Sequence, residues 1–281
     1  MTRRILSPEH AWYLYGIAKL GDAESALPQA TVGVDGSALV SIIAHEGLGA
    51  LVSAVPLAEF AAERVRSLAQ DDAWLGRIVR EHERVVDALQ KSFTIVPARL
   101  FSVYASDDDI RDSLAEGRSS ILRTLAALAG CDEFEIRLTF DRALLGERLK
   151  RTAPEIAKLV EARAASTAGR GYLVERQIAS LLKRTIESTI EGVGEQAFVE
   201  LRSHTLAERD LSSRRITEGE TTLAVLRRAF LVRRSERGEF LEAVEQTGVL
   251  HPEARVEYGG PWPPYNFVDP DVLEEQGSVH G

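Results

Sequence analysis

The chain has 281 residues, of which 44% are hydrophobic and 27% are charged, and its formal net charge at pH 7 is −9. This length is enough for one large domain or two ordinary ones, and the balance of apolar and charged residues is typical of a globular protein. The acidic excess argues against a general nucleic-acid-binding protein, which needs a basic footprint for the phosphate backbone. No apolar run approaches the roughly 18 to 20 residues of a membrane span, so we expect no membrane insertion.

The cysteine content indicates the compartment. Cys131 is the single cysteine, so the chain cannot form an intrachain disulfide. This favours a reducing, cytoplasmic environment. The N-terminus begins with basic residues but lacks a long apolar core, which is not the pattern of a signal peptide.

The first half of the chain is predicted to begin with strands and to continue with helices. Three runs of apolar and aromatic residues have the character of strands, and they cover residues 12–17, 39–44 and 48–55. A short connection that contains Gly, at 45–47, joins the last two as in a hairpin. Helices are predicted over 57–68 and 71–91 from apolar residues at spacings of three and four. Residues 95–104 return to strand character, interrupted by Pro97, and Ser106 is placed to cap another helix.

The second half is predicted to alternate strands with helices. Residues 134–140 alternate apolar and polar side chains, as a half-buried strand does, and residues 142–190 are rich in helix formers. The remaining predicted elements are strands over 197–206 and 221–232, a helix over 236–247, and a strand over 254–258. The order β-α-β-β-α-β is the ferredoxin-like pattern, which predicts a four-stranded antiparallel sheet with helices on one face.

We therefore predict an α+β protein of two domains. The N-terminal domain, residues 1–130, is expected to be a related or distorted α/β sandwich. The C-terminal domain, residues 131–259, is expected to be ferredoxin-like. Residues 260–281 are predicted to form an extended tail that packs back on the domains. The segment 203–222, rich in Arg, Glu and Ser, is predicted to be an exposed loop.

The most distinctive pattern lies in residues 259–268, GGPWPPYNFV, where three prolines and three aromatics fall within 261–267. Proline fixes φ and has no N–H, so neither a helix interior nor a central strand can hold this run. We predict a stiff extended strip that displays aromatic side chains. The residues singled out are Gly260, Pro261, Trp262, Pro263, Pro264, Tyr265 and Phe267.

Two roles fit this strip. It could recognise an aromatic groove on a partner, as proline-rich segments do. It could instead be a structural clasp that locks the tail onto the domains of its own chain. A tail that directly follows the last strand is held at high effective concentration beside those domains, which favours the clasp. On this hypothesis, deletion of residues 260–281 lowers the melting temperature markedly.

The chain contains few motifs with a chemical mechanism. His82-Glu83 begins a zinc-protease pattern, but the second histidine would fall at position 86, which is Val. His82 is therefore interpreted as a buried, hydrogen-bonded residue. The acidic run 107–109 is interpreted as helix capping rather than a cation site. Phosphate-binding, dinucleotide-binding and nucleophile-elbow patterns are absent from the sequence, so we predict no catalytic, metal or cofactor site.

Residues 259–268 closely resemble the GPWPPYxF ending of the gas vesicle protein GvpF/GvpL family. Weaker blocks occur in the order of that family, and they are WYLYGI at 12–17, LGALVSAVP at 48–56, HERVV at 82–86, IVPAR at 95–99, GCDEFEIR at 130–137 and GYL at 171–173. The resemblance implies a non-enzymatic accessory or minor structural protein, located at the gas vesicle or in the cytoplasm. It also implies association with the major hydrophobic shell protein and with other gas vesicle proteins.

Two other classes of function stay open on the sequence. A ferredoxin-like domain could serve as a small-molecule-binding regulatory module, although this rests on fold analogy alone. An enzyme would need a convergent polar pocket, for which the motifs give no sign. The residues leave open whether the protein is F-like or L-like, whether it is a shell component or an assembly chaperone, which surface binds the shell protein, and its oligomeric state.

Overall fold

The computed structural model describes residues 9–211 and 223–269 and has a mixed α+β architecture with two antiparallel sheets. The chain divides into two compact units. The first contains the described residues up to Glu133 and those from Trp262 onward, and the second is Phe134–Pro261. The second unit is therefore an insertion within the first along the chain.

The sheet of the first unit is built around one long central strand. Its strands are β1 (His10–Lys19), β2 (Ser41–His45), β3 (Leu48–Pro56), β4 (Val96–Pro97) and β5 (Val103–Tyr104). The order is β2-β3-β1-β4, and β5 also pairs with β1. The three strands predicted first are confirmed. The predicted strand over 95–104 is wrong as a continuous element, because only its two ends pair with β1.

Six helices in the described part of the first unit surround this sheet. They are α1 (Leu20–Ala26), α2 (Leu57–Phe60), α3 (Ala62–Leu68), α4 (Asp72–Ser92), α5 (Asp107–Glu116) and α6 (Arg118–Leu128). The helix predicted over 57–68 is two short helices, because Ala61 between them has an extended backbone. The caps follow the sequence signals: Asp71 accepts two backbone N–H groups of α4, and Ser106 accepts the N–H of Asp109 in α5.

Strand β1 is buried on both faces. Tyr13 and Tyr15 lie in an apolar cluster with residues of α4 such as Val85. Trp12 and Leu14 lie in a second cluster with residues of α5 and α6. Because side chains alternate along a strand, the two clusters lie on opposite faces of the sheet. Helix α4 therefore packs on one face, and α5 and α6 pack on the other.

A bulge changes this alternation near the middle of β1. The register with β3 shifts between Leu14 and Gly16. As a result Ile17 lies in the cluster of α5 and α6, while Ala18 lies in the cluster of α4. A Cβ atom at Gly16 would lie 2.8 Å from the carbonyl oxygen of Val96, so glycine allows β4 to pair this closely.

The second sheet has the same internal strand order as the first. Its strands are β6 (Cys131–Asp141), β7 (Ala207–Asp210), β8 (Leu223–Arg233) and β9 (Arg255–Trp262), in the order β7-β8-β6-β9. The helices of this unit are α7 (Arg142–Thr152), α8 (Pro154–Ala164), α9 (Ala168–Arg202) and α10 (Arg237–Leu250). Phe134, Phe230 and Phe240 form the centre of its core. The ring centroid of Phe240 lies 5.3 Å from that of Phe134 and 5.9 Å from that of Phe230.

Charged side chains tie neighbouring strands of the second sheet together. The guanidinium of Arg227 on β8 donates two hydrogen bonds, of 2.6 and 2.7 Å, to the carboxylate of Glu135 on β6. This bidentate pair holds the pKa of Glu135 below its usual range. Arg228 points to the opposite face and pairs with Glu195 and Glu208.

The strand predicted over 197–206 is wrong. Residues up to Arg202 continue α9, and the strand that follows is β7. Ala197, Phe198 and Leu201 are buried, and their spacing of one and three residues is that of a helix face rather than a strand. The predicted loop over 203–222 therefore contains the strand β7, and its residues 212–222 lie outside the described residues. The first two residues of the predicted strand 221–232 also lie outside them.

The last strand is longer than predicted. It was expected over 254–258, before the prolines, but β9 runs to Trp262 and includes Pro261. β9 lies at the edge of its sheet. An edge strand has one side without a partner, so the missing N–H of proline need not cost a ladder hydrogen bond there.

Within the described ranges, the helices are all too short or too polar to cross a membrane.

Candidate functional site

The C-terminal segment, Trp262–Asp269, turns into the first unit after β9. Pro263 and Pro264 are buried, and Tyr265–Phe267 form a single 3₁₀ turn. The N–H of Tyr265 donates to the carbonyl oxygen of Pro263 at 2.8 Å, and that of Phe267 donates to Pro264 at 3.1 Å. The prediction of an extended strip is therefore wrong beyond Pro264, because the first residues without proline close a turn.

Tyr265 contacts a buried histidine of α4. Its hydroxyl oxygen lies 3.2 Å from Nε2 of His82, and the two rings are stacked with centroids 6.4 Å apart. On the other side of the imidazole, the hydroxyl of Tyr13 lies 3.0 Å from Nδ1. His82 is 1% exposed, which agrees with its interpretation as a buried, hydrogen-bonded residue.

The tyrosine hydroxyls and the imidazole each have a further partner. The hydroxyl of Tyr265 also bonds the carboxyl group of Glu83. The oxygen of Tyr13 accepts the N–H of Phe101 at 3.1 Å, and the imidazole of His82 also bonds the carbonyl of Ala98.

Burial shifts the titration of this group of residues. Desolvation lowers the pKa of His82 to about 4, so the imidazole is neutral near pH 7. Desolvation also raises the pKa of the Tyr13 and Tyr265 hydroxyls far above the usual range for tyrosine. Glu83 is exposed as a residue, but its carboxyl end lies against Tyr265, and the resulting desolvation raises its pKa. His82, Tyr13 and Tyr265 are therefore neutral hydrogen-bonded groups near pH 7.

Tyr15, the second tyrosine of β1, anchors a neighbouring loop. Its hydroxyl lies 2.7 Å from Oγ of Ser53 and accepts the N–H of Val34 at 2.9 Å. Desolvation raises the pKa of Tyr15 to about 12. Gly33 lies so close that an added Cβ would overlap Ser53 Oγ at 2.2 Å. The two tyrosines of the WYLYGI block therefore position α4 and the loop before β2.

Asn266 holds a buried carboxylate of the first unit. Glu133 is 2% exposed and accepts the backbone N–H of Asn266 at 2.9 Å as well as its side-chain Nδ2–H. Hydrogen bonds to an ionised acceptor are stronger than neutral ones, and they offset the cost of burying the carboxylate. Val268 packs against the cluster of α5 and α6, and Asp269 lies 3.6 Å from Arg123 of α6.

The residues singled out in the tail divide into two groups. Gly260, Pro261 and Trp262 belong to β9, and the indole of Trp262 is 45% exposed. Pro263, Pro264, Tyr265 and Phe267 are buried or half-buried in the first unit. Sequence reasoning missed Asn266 and Glu133. The available signal was the acidic pair 132–133 at the start of an apolar strand, because buried carboxylates need donors.

The acidic run at the start of α5 is used for local contacts. Asp107 accepts the indole N–H of Trp12 at 2.7 Å and lies 3.2 Å from the guanidinium of Arg111. Ser106 caps the helix, which confirms the capping interpretation. Cys131 is buried, with its thiol 3.4 Å from the carbonyl oxygen of Ala129. In the ranges that the structure describes, no three His, Cys, Asp or Glu side chains are grouped to hold a metal ion.

Comparison with known proteins identifies the family. The sequence model of the gas vesicle synthesis protein GvpL/GvpF family matches residues 11–269. The chain belongs to the GvpL/GvpF family. The resemblance drawn from the tail and the shorter blocks is thereby confirmed over nearly the whole chain.

Relatives named L and F both align along most of the chain. Gas vesicle protein L of Streptomyces sp. (strain CB03234) is 28% identical and covers 96% of this chain and 98% of its own length. Gas vesicle protein F of the same strain is 25% identical, and the alignment covers 92% of this chain and 99% of that protein. Gas vesicle protein L2 of Halobacterium salinarum is 25% identical, and the alignment covers 94% of this chain and 93% of that protein.

Solved structures show the same fold. The crystal structure of GvpF from Anabaena sp. PCC7120 matches with a TM-score of 0.66 at 18% identity and covers 92% of this chain and 96% of its own. GvpF from Microcystis aeruginosa matches with a TM-score of 0.66 at 19% identity and covers 92% and 99%. The mixed α+β architecture is therefore that of GvpF.

Proposed function

We propose that this GvpL/GvpF protein is a non-enzymatic accessory or minor structural protein of gas vesicles, one that binds the major hydrophobic shell protein and supports vesicle assembly. The observation that carries the proposal is the family match over residues 11–269. Relatives named gas vesicle protein L and gas vesicle protein F, which align with this chain over almost their full length, also support it. On this proposal the protein acts at the gas vesicle and in the cytoplasm, together with other gas vesicle proteins.

Co-purification with the shell protein tests this function. The full chain, carrying an affinity tag, is co-expressed with the major shell protein and recovered under mild conditions. We expect the shell protein in the eluate and none with a tagged acidic protein of similar size. The same chain is then omitted from a host that expresses the rest of the gas vesicle genes, and we expect vesicle yield to fall. An eluate free of shell protein together with normal vesicle yield would contradict the proposal.

For the tail we propose the role of a structural clasp, formed by Gly260, Pro261, Trp262, Pro263, Pro264, Tyr265 and Phe267. The contacts of Tyr265 with His82 and of Asn266 with Glu133 support this role, because both bury polar groups of the first unit. We also propose residues 1–130 and 131–259 as the two domains and 260–281 as the tail; the boundaries between the two compact units differ from these by two or three residues.

We further propose that the C-terminal domain is ferredoxin-like and that the N-terminal domain is a related α/β sandwich. The element order of the second unit supports this, since β6 is followed by helices, the pair β7-β8, α10 and β9. Both sheets also place their first and third strands side by side at the centre. An experimental structure in which β6 and β8 are not neighbours would refute the assignment.

A further inference from the structure

The open edges of the two sheets differ in how well they are protected. Edge strands of natural proteins are usually short, charged or interrupted by proline, because an exposed edge pairs with other chains. β4 is two residues long and ends at Pro97, β7 has three charged residues among four, and β9 carries charges and Pro261. β2 has none of these features. Residues 38–44, ALVSIIA, contain no charge and no proline.

The hairpin between β2 and β3 determines which groups of β2 point outward. His45 pairs with Leu48 across a two-residue turn, Glu46–Gly47, whose φ angles of 42° and 81° are those of a tight hairpin turn. The residues that flank such a turn exchange hydrogen bonds, and the pattern alternates along the strand. Ile42 and Ala44 therefore direct their N–H and C=O groups away from β3.

An independent contact supports this alternation. Val40, two residues before Ile42, directs its N–H to the outer side, where it donates to the carbonyl oxygen of Thr31 at 2.8 Å. Ala30 has a φ of 60°, and the chain turns there, at the residue before Thr31. In residues 9–211 and 223–269, β3 is the one strand paired with β2, and no backbone hydrogen bond reaches the outward N–H and C=O groups of Ile42 and Ala44. Val32 bridges Leu39, and the N–H of Gly33 donates to the carbonyl oxygen of Ala38, so the edge is covered up to Val40 and open from Ile42 to Ala44.

The side chains of β2 keep this edge in position. Ile42 packs against the cluster of α4, and Ile43 is buried in the cluster of α5 and α6. Leu39, just before the strand, is 55% exposed. An incoming segment would meet a preformed edge close to the exposed side chain of Leu39, so little ordering is needed on this side of the interface.

We propose that β2 is a strand-addition site, at which an uncharged, apolar, extended segment of a partner pairs with the main chain of Ile42 and Ala44. The absence of charge along residues 38–44 selects an apolar segment, and the net charge of −9 opposes pairing with a second copy. The inference rests on the proposed function in one respect, since it takes the segment to come from the major shell protein.

Substitutions at Ala44 test the inference, because its N–H points away from β3. Ala44→Pro removes the outward donor and blocks approach, while the hydrogen bonds to β3 are kept. Ala44→Val is the matched control, since it adds a side chain of similar size and keeps the N–H. In the full chain co-purified with the shell protein, we expect Ala44→Pro to weaken association about tenfold or more and Ala44→Val to retain it.

Amide hydrogen exchange in the unmodified chain gives a second measurement that does not depend on how the proline variant folds. In the free protein we expect fast exchange at Ile42 and Ala44 and slow exchange at Ile43, which bonds β3. On addition of the shell protein, Ile42 and Ala44 should become protected.

The outcomes separate this inference from the proposed function. Shell protein that binds without protecting Ile42 and Ala44, or that binds Ala44→Pro as tightly as the unmodified chain, overturns strand addition and leaves the proposed function standing. Protection that appears on concentrating the chain alone assigns the edge to a second copy and overturns the proposed occupant. Failure of the unmodified chain to bind shell protein overturns the proposed function.

Discussion

Replacing Tyr265 with Phe removes one oxygen from the C-terminal segment and leaves its ring in place. The lost hydroxyl lies 3.2 Å from Nε2 of His82, which is buried in the first unit, and it also bonds the carboxyl group of Glu83. A buried hydrogen-bonding group left without its partner costs about 1 to 3 kcal/mol. The imidazole keeps its hydrogen bond to the carbonyl of Ala98, and Glu83 is exposed to water, so we expect the lower end, about 1 kcal/mol. In Tyr265→Ala the half-buried ring is lost as well, and the cost rises to about 3 kcal/mol.

Differential scanning calorimetry or chemical denaturation of the full chain measures these effects. For a unit of this size, about 1 kcal/mol corresponds to a shift in melting temperature of about 3 to 4 °C. Tyr258→Phe is the matched control, since the Tyr258 side chain is 52% exposed and the chemical change is the same. We expect no shift for the control, a shift of about 3 to 4 °C for Tyr265→Phe, and a larger one for Tyr265→Ala. Equal melting temperatures for Tyr265→Phe and Tyr258→Phe would refute the role assigned to this hydroxyl.

Two further predictions concern the first unit. The pKa of His82 falls from 6.5 to about 4 on folding. Between pH 6.5 and pH 4 the imidazole of His82 therefore carries a proton in the unfolded chain but not in the folded chain. Lowering the pH from 6.5 to 4 should therefore reduce the free energy of unfolding by about 3 kcal/mol. The raised pKa of Glu83 acts in the opposite sense. Denaturation at several pH values should show a shallower slope in His82→Gln, and an unchanged slope would count against the assignment. Gly16→Ala places Cβ against the carbonyl of Val96 and should lower the free energy of unfolding by about 1 to 3 kcal/mol. Gly21→Ala is the control, since a Cβ there meets nothing within 4 Å, and it should cost no stability. Equal stability of the two variants would contradict the role of Gly16 in the close pairing of β4.

Local patterns predicted much of the secondary structure. The hairpin of β2 and β3 follows from two apolar runs around a Gly-containing turn, and the caps Asp71 and Ser106 follow from short polar side chains before helices. These signals work because they involve residues close in the chain. The predicted strand over 197–206 is wrong because a local signal can be ambiguous. Apolar residues at spacings of one and three fit either a short strand or the end of a helix, and packing in the core favours the helix.

The candidate site was predicted only in outline. The prolines of 261–264 indicated a segment outside regular helices and central strands, and the aromatics indicated packing. The partners of the segment were not predictable. His82, Tyr13 and Glu133 are distant from it in sequence, and their contacts with it form only in the folded first unit. Which aromatic is exposed was also not predictable, because the 45% exposure of Trp262 and the partial burial of Tyr265 depend on what surrounds each ring in the folded chain.

The sequence by itself determined the family, the α+β composition, most elements and the chemical character of the tail, because each depends on residue types and short-range spacing. Tertiary structure decided the bulge in β1, the neutral state of His82, the burial of Glu133 under Asn266 and the open edge at Ile42 and Ala44. These features depend on which main-chain and side-chain groups find partners from distant parts of the chain. A hydrogen-bonding group is buried, paired or left open only once the whole sheet and its covering helices are in place.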